Sequence, residues 1–154
     1  MVMSHIYRLM GQLLMERPAR DKSLAELIAT LERGGAQAAS RIAAARDGAQ
    51  NRETLRHIIA IERWGQARLR TVLEGEVHET SSDAYRPEDG DWQTLKRRFA
   101  QTREETVAVA RRLQDADVPP GETVRHDQWG DLSIRGWLRY LAFHAEKDVK
   151  TLRS

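Results

Sequence analysis

Apolar residues recur along most of this chain at intervals of three and four, which is the spacing of amphipathic α-helices. The pattern predicts five helices separated by polar segments and by segments that contain glycine or proline. They begin at about residues 4, 23, 51, 92 and 133; the first ends near residue 16, the third near 74 and the last near 152, and the apolar stripes of the second and fourth reach Ile42 and Leu113. The sequence therefore predicts an all-α fold.

Several helix ends are marked by residues with capping or helix-breaking chemistry. Ser23 followed by Glu26 forms a capping-box pattern, and Ser133 can cap the last helix. Gly75 is a natural stop for the third helix. The Gly34–Gly35 pair inside the second helix indicates either the close approach of a neighbouring helix or a local break.

The clearest apolar seam belongs to the fourth helix, whose inward positions alternate by three and four residues as in helical bundles. The seam consists of Trp92, Leu95, Phe99, Thr102, Thr106, Val109 and Leu113. Opposite the seam lies a basic set formed by Lys96, Arg97, Arg98, Arg103, Arg111 and Arg112. We interpret this set as a solvated helix face, and we expect no nucleic acid among the partners.

Length and composition narrow the class of protein. The chain has 154 residues, enough for one domain with its own core. It has no cysteine, which excludes disulfides, iron–sulfur ligation and a cysteine nucleophile. No apolar run approaches the ~18 residues that span a bilayer, and the N-terminus does not resemble a secretory leader. We therefore expect a cytoplasmic protein with no membrane partner.

The sharpest chemical signal is a carboxylate on the apolar face of the last helix. Asp148 belongs to the inward series of that helix, where an ionised carboxylate is costly unless a cation or a donor meets it. His144 lies four residues earlier and points in the same direction, and His57 lies near the apolar side of the third helix. Two imidazoles and one carboxylate can hold a divalent ion with other positions open. His57, His144 and Asp148 are therefore candidate metal ligands.

Structural roles are compatible with the same residues. A histidine on a half-apolar face is often a packed residue with a satisfied nitrogen, and Asp148 can pair with Lys147 or Lys150. Glu62 lies about 140° around the helix from His57, so we interpret it as a buried ion-pair partner rather than a general base. The remaining histidines have no helical partner at ligand spacing and are expected at the surface; they are His5, His78 and His126.

Helix geometry sets a topological condition for the metal site. At ~1.5 Å per residue, His57 lies ~9 Å from the start of its helix, whereas His144 and Asp148 lie ~12 Å and ~6 Å from the end of theirs. The three meet easily only if the last helix ends where the third begins. The third and fourth helices must then be parallel, with residues 75–90 crossing back along the molecule. That loop can span ~50 Å against ~36 Å for the third helix, so the crossover is feasible.

The segment HIIAIERW (57–64) and the final helix GWLRYLAFHAEKDVKTL (136–152) resemble those of the DinB/YfiT-like proteins, and the resemblance covers residues 23–152. It implies an up-down-down-up four-helix bundle with a long crossover between bundle helices 2 and 3, here with an extra N-terminal helix. It also implies one divalent metal held by three histidines. His57 and His144 match two of them, whereas Asp148 stands where the family has the third.

The resemblance implies several activities. Similar proteins include thiol-dependent S-transferases and metal-dependent hydrolases, which leads us to expect Zn, Ni, Fe or Mn, a low-molecular-weight thiol as co-substrate and a small-molecule substrate of unknown identity. No catalytic residue beyond the ligands is indicated. The alternative is a non-catalytic helical bundle with a degenerate metal site, acting as a stress-response or interaction module. Asp148 is the residue that separates the two.

The N-terminal helix lies outside the resemblance. We divide the chain into an amphipathic helix at residues 1–18, with Pro18 after its end, and a bundle domain at residues 23–154. The helix carries an apolar stripe formed by Ile6, Leu9, Met10, Leu13 and Leu14. That stripe must be buried against its own chain or a partner's. Since dimers are common among similar proteins, we expect a homodimer.

Overall fold

The computed structural model describes residues 2–75 and 81–154, and most of these residues are helical. The described residues contain five α-helices longer than one turn and one β-hairpin. The elements are α1 (Val2–Gly11), α2 (Leu24–Ala44), α3 (Ala49–Glu74), α4 (Trp92–Asp115), β1 (Thr123–His126), β2 (Gly130–Ser133) and α5 (Ile134–Val149). A 3-10 turn, Ser82–Tyr85, lies between α3 and α4. The all-α prediction is thus correct in broad terms, and the hairpin is an addition to it.

The N-terminal helix does not end before Pro18, contrary to the prediction. It continues from α1 through a π-helical stretch, Gln12–Glu16, into a final turn, Arg17–Ala19. A proline cannot donate a hydrogen bond to the carbonyl four residues earlier, which here belongs to Leu14. That carbonyl accepts a hydrogen bond from Arg139 Nε on α5 at 2.8 Å. The contact with α5 therefore supplies the bond that the proline cannot make.

The long helices begin and end at the predicted signals. The capping box of Ser23 and Glu26 is formed at the start of α2. The side chain of Asp91 caps α4, and that of Ser133 caps α5. Gly75 ends α3 in the left-handed conformation with φ of 71°, which favours glycine. Local capping chemistry thus accounts for one end of each of these four helices.

Contacts between α3 and α4 show that the two helices are parallel. Gln66 Nε2 donates to the carbonyl of Thr102 at 2.8 Å. Eight residues further along α3, Glu74 lies 3.5 Å from Arg112, which is ten residues further along α4. The segment between the helices must therefore return to the start of α3 before α4 begins.

Contacts between α3 and α5 show that these helices are antiparallel. Trp64, near the middle of α3, packs against Trp137 near the start of α5, with ring centroids 5.2 Å apart. At the other end, Asn51 Nδ2 donates to the carbonyl of Arg153 at 2.8 Å. The last helix therefore ends where α3 begins, as the metal-site hypothesis requires.

Two apolar clusters form the interior. One lies towards the hairpin and includes Leu31, Trp64, Leu69, Leu113, Trp137 and Leu141. The other lies towards the C-terminal end of α5 and includes Ile42, Leu55, Ile59, Leu95, Phe99 and Val149. Every residue of the predicted seam of α4 is buried. Helical periodicity thus identified the core face of this helix.

Arg103 is buried, so its assignment to a solvated face was wrong. Its guanidinium pairs with buried Glu62, as predicted for that carboxylate, and its Nη1 donates to the carbonyl of Leu31 at 2.9 Å. Thr106 Oγ1 donates to the same carboxylate at 2.9 Å. A Cβ on Gly35 would lie 2.7 Å from the Arg103 side chain, so this glycine allows the close approach of α4 within an unbroken helix.

The hairpin was not predicted, because the sequence before Ser133 was interpreted only as a turn and a cap. Thr123 pairs with Ser133, and His126 pairs with Gly130. The three residues 127–129 connect the strands, and Gly130 has φ of 78°, as in three-residue hairpin loops that end in a left-handed residue. A glycine after a three-residue polar-aromatic loop was the available signal.

The N-terminal segment, defined as residues 2–19, packs against β2 and α5. Its predicted apolar stripe remains exposed, so the stripe does not cover the rest of its own chain. Within the described ranges, no helix has the length and apolar character needed to cross a membrane.

Candidate metal centre

His57 on α3 lies beside His144 and Asp148 on α5. Asp148 Oδ2 is 3.6 Å from His57 Nε2 and 3.3 Å from His144 Nε2. The two imidazole centroids are 5.1 Å apart. One donor atom from each residue lies within 4.8 Å of the other two. The three side chains thus lie together.

The three donors fit a divalent ion in chemistry and in spacing. Ligand atoms ~2.0–2.2 Å from one ion lie roughly 3–3.6 Å from each other. Both separations from Asp148 Oδ2 fall in that range. The His57 side chain is 44% exposed, against 12% for His144 and 18% for Asp148. The cluster is therefore most accessible from the side of His57.

Burial lowers the pKa of His144 to about 4, although the charge of Asp148 opposes the shift. Near neutral pH the imidazole is therefore uncharged and keeps the lone pair that a metal ligand needs. Its Nδ1 is buried and has no hydrogen-bond partner among the residues that the structure describes. Metal-binding histidines usually donate this second N–H to an acceptor. That support for the His144 ring is missing from the described part of the chain.

Asn51 holds together the two helix ends that carry the cluster. Its Nδ2 donates to the carbonyls of Arg46 and Arg153, at 2.9 and 2.8 Å. Its Oδ1 accepts from the backbone N–H of Arg153 at 3.0 Å. Asn51 is buried and lies six residues before His57, while Arg153 lies five residues after Asp148. Sequence reasoning missed this residue, because its partner Arg153 is 102 residues away.

Tyr140 and His126 extend the cluster into an aromatic core. The Tyr140 ring lies 5.8 Å from His144 and 4.6 Å from His126, between centroids. Burial raises the pKa of Tyr140, and the charge of Asp148 adds to the increase. The phenol is therefore neutral at physiological pH. His144 thus packs against the aromatic side chains of the core.

His126 is buried, so its prediction as a surface residue was wrong. Its Nδ1 accepts hydrogen bonds from the backbone N–H groups of Gln128 and Trp129, both at 3.1 Å. The imidazole thus closes the hairpin turn. Its ring also packs against Trp64 on α3 and against Trp137 and Tyr140 on α5. His5 is exposed as expected, and His78 lies outside the described residues.

Charged residues of α3 and the crossover segment lie one turn before His57. Glu53, four residues earlier on the same helix, pairs with Arg86 at 2.7 Å. Arg56 Nε donates to the carbonyl of Pro87 at 3.0 Å. These contacts place residues 86 and 87 against α3 near His57.

A groove of about 610 Å³ lies elsewhere, between α2 and α4. Its lining includes Ala36, Ala39, Ala100, Val107 and Ala108, and the Arg111–Glu32 ion pair belongs to its charged rim. None of the three candidate ligands lines it. This groove therefore does not coincide with the cluster of His57, His144 and Asp148.

Comparison with known protein families identifies the family to which the chain belongs. The sequence profile of the DinB superfamily matches residues 48–152, more than half of the chain. The match includes His57, His144 and Asp148 but begins after α2, whereas the resemblance noted above starts at residue 23. No curated protein and no solved structure matches the chain. The chain belongs to the DinB superfamily.

Proposed function

We propose that this protein is a metal-dependent enzyme that promotes the attack of a thiol or water on an electrophilic small molecule. In this proposal His57, His144 and Asp148 hold one divalent ion. The observation that carries the proposal is the convergence of their three donor atoms within 4.8 Å of one another. Membership of the DinB superfamily supports it.

The donor set bears on which ion binds. Two imidazoles with one carboxylate suit Zn, Ni, Fe or Mn, and replacement of a third histidine by Asp148 adds a harder, anionic ligand. When bound, the ion would act as a Lewis acid that favours the deprotonated, nucleophilic form of a thiol or water.

In this proposal the side chains of the site hold the ion in place and determine the side from which substrates approach it. Asp148 supplies a negative charge that offsets part of the charge of the ion. His144 is held against Tyr140 and lies on the buried side of the site. His57 is the most exposed of the three ligands, so a thiol and an electrophile would approach from its side. A low-molecular-weight thiol is the co-substrate that we propose, and the electrophile is a small molecule.

We also propose that α2 to α5 form a four-helix bundle in up-down-down-up order, as a domain at residues 23–154. The parallel contacts of α3 with α4 and the antiparallel contacts of α3 with α5 support this order. The crossover is then the segment between residues 75 and 91. It brings α4 back to the end of the molecule that holds the metal site.

The test is a thiol-transfer assay with protein loaded separately with Zn, Ni, Fe and Mn. Each form is incubated with a small thiol and a panel of alkyl halides and epoxides, and the loss of free thiol is followed. A parallel hydrolysis assay uses activated esters without thiol. At least one form should show turnover above the apo-protein, and Asp148→Ala should reduce the rate by about 100-fold or more, because a ligand is lost.

Glu146→Ala is the matched control, because it removes an exposed carboxylate two residues from Asp148 on the same helix. Its rate should equal that of the native protein. If the metal-loaded protein catalyses neither thiol transfer nor hydrolysis of any tested substrate, the enzymatic proposal is contradicted and an interaction module is favoured. Equal rates for native protein and Asp148→Ala would contradict the assignment of the site.

A further inference from the structure

The N-terminal segment presents its most apolar face to solvent. Six large apolar side chains there are between 37% and 61% exposed. They are the five residues of the predicted stripe, Ile6, Leu9, Met10, Leu13 and Leu14, together with Met3. From here on, the stripe means all six. Spacings of three and four residues place them on one side of the helix. Exposed apolar residues are ordinary when scattered, but six on one helix face form a patch.

The opposite side of the same segment is attached to the rest of the chain. Gly11, Met15 and Ala19 are buried at intervals of four residues. The hairpin packs closely on this side, since a Cβ on Gly11 would lie 3.0 Å from the carbonyl oxygen of Trp129. The segment is therefore attached through the face that carries Gly11, Met15 and Ala19, with the apolar stripe directed outwards.

Polar contacts fix the same orientation. The carboxylate of Glu16 accepts from the backbone N–H of Ser133 at 2.7 Å and from its hydroxyl at 2.8 Å. Arg139 Nε donates to the carbonyl of Leu14. A rotation of the helix that buried the stripe would break these bonds at the start of α5. Within residues 2–75 and 81–154, the fold therefore leaves the stripe uncovered.

We propose that the stripe is the contact surface of a homodimer, in which it packs against the same stripe of a second copy. The six exposed fractions correspond to roughly 500 Å² of apolar surface, which is at the upper end for a monomer. Two such patches bury roughly 1,000 Å² together, the size at which specific interfaces begin. A two-fold contact uses the same patch on both copies.

The charges around the stripe favour a protein partner over a membrane surface. Helices that lie on membranes flank their apolar face with several lysines and arginines. The N-terminal segment has no lysine, and its arginines are Arg8 and Arg17. The stem of Arg8 packs over Gly130 on the attached side. A second copy of the stripe supplies the uncharged partner surface that this face requires.

Sedimentation velocity over a range of protein concentrations tests the proposal. The native chain, of 17.6 kDa, should sediment with twice that mass at micromolar concentrations. The double variant Leu9→Glu, Leu13→Glu should raise the dimer dissociation constant by about 100-fold or more, because it places four charges in the contact. Gln12→Glu, which adds a charge off the stripe, should leave it unchanged.

Cross-linking gives a second readout that does not depend on the charged variant. The chain has no cysteine, so a single introduced thiol reports one position. Leu9→Cys, in the middle of the stripe, should form covalent dimers with a short bifunctional thiol reagent, because the middle of a two-fold patch lies near its own copy. Gln12→Cys should not.

A native chain that remains monomeric at ~100 µM would overturn the proposal, because the dissociation constant of the dimer would then be well above ~100 µM. Persistence of the dimer in the double variant would also contradict it. Stripe-dependent sedimentation of monomers with phosphatidylserine vesicles would instead assign the stripe to a membrane surface. Metal content and thiol transfer do not enter this test, so it is independent of the proposed function.

Discussion

At the scale of single residues, Asp148 determines the character of the candidate centre. A carboxylate is shorter than an imidazole, carries a charge and prefers harder ions. It lies 3.3 Å from His144 and 3.6 Å from His57, so its short reach is compensated by the closeness of α3 and α5. The position therefore retains a donor at ligand distance even though its chemistry differs from that of a histidine.

A second property at this scale is the buried neutral imidazole of His126. Burial lowers its pKa to about 4, with a further decrease from Arg68 and His144 and an opposing effect of Asp127. The unfolded chain takes up this proton below about pH 6.5, whereas the folded chain takes it up only near pH 4. The contribution of His126 to the free energy of unfolding should therefore be fully present above pH 7, and roughly 2–3 kcal/mol of it should be lost as the pH falls from 6.5 to 4.

Urea unfolding at a series of pH values measures this effect. His126→Asn is the control, because an asparagine oxygen can accept the same N–H groups of the turn and does not titrate. The variant should lose part of the decrease in unfolding free energy between pH 6.5 and 4. The same pH dependence in the native protein and in the variant would show that His126 does not carry a depressed pKa.

At the scale of elements, the candidate centre depends on the junction between the start of α3 and the end of α5. Asn51 joins them through three hydrogen bonds to Arg46 and Arg153. Helix stripes and caps are local features, so the sequence identified α2 to α5 and their ends. Arg153, which pairs with Asn51, and the partners of Arg103 are distant in the sequence, and no local pattern reveals these contacts. The burial of Arg103 and the role of Asn51 therefore required the structure.

The Asn51→Ala variant tests the role of this junction. It should lower the free energy of unfolding by about 2–3 kcal/mol, because buried backbone groups lose their partners. If the triad binds metal, affinity should also fall by about 10-fold through the loosened helix ends. Thermal unfolding and competition with a chromophoric chelator measure the two effects. Gln50→Ala, at the exposed neighbouring position, is the control. Unchanged metal affinity in a destabilised Asn51→Ala variant would show that the junction does not position the ligands.

At the scale of the whole molecule, one geometric condition connects the fold with the site. The requirement that three side chains meet predicted parallel α3 and α4 helices and a long crossover, and the contacts along these helices agree with it. Local patterns did not predict the direction in which the N-terminal segment faces. Amphipathicity identifies its apolar stripe, but the close approach of Gly11 to the hairpin determines which side is buried.

The most direct test of the account is the metal content of untagged protein, purified without chelator and then incubated with divalent ions. The measurement compares the native chain with His57→Ala, and with His5→Ala as a control that removes an exposed histidine outside the cluster. The account predicts about one bound ion per chain in the native protein and in His5→Ala, and none in His57→Ala. An equal metal content in all three proteins, or no metal in the native chain after incubation, would contradict it.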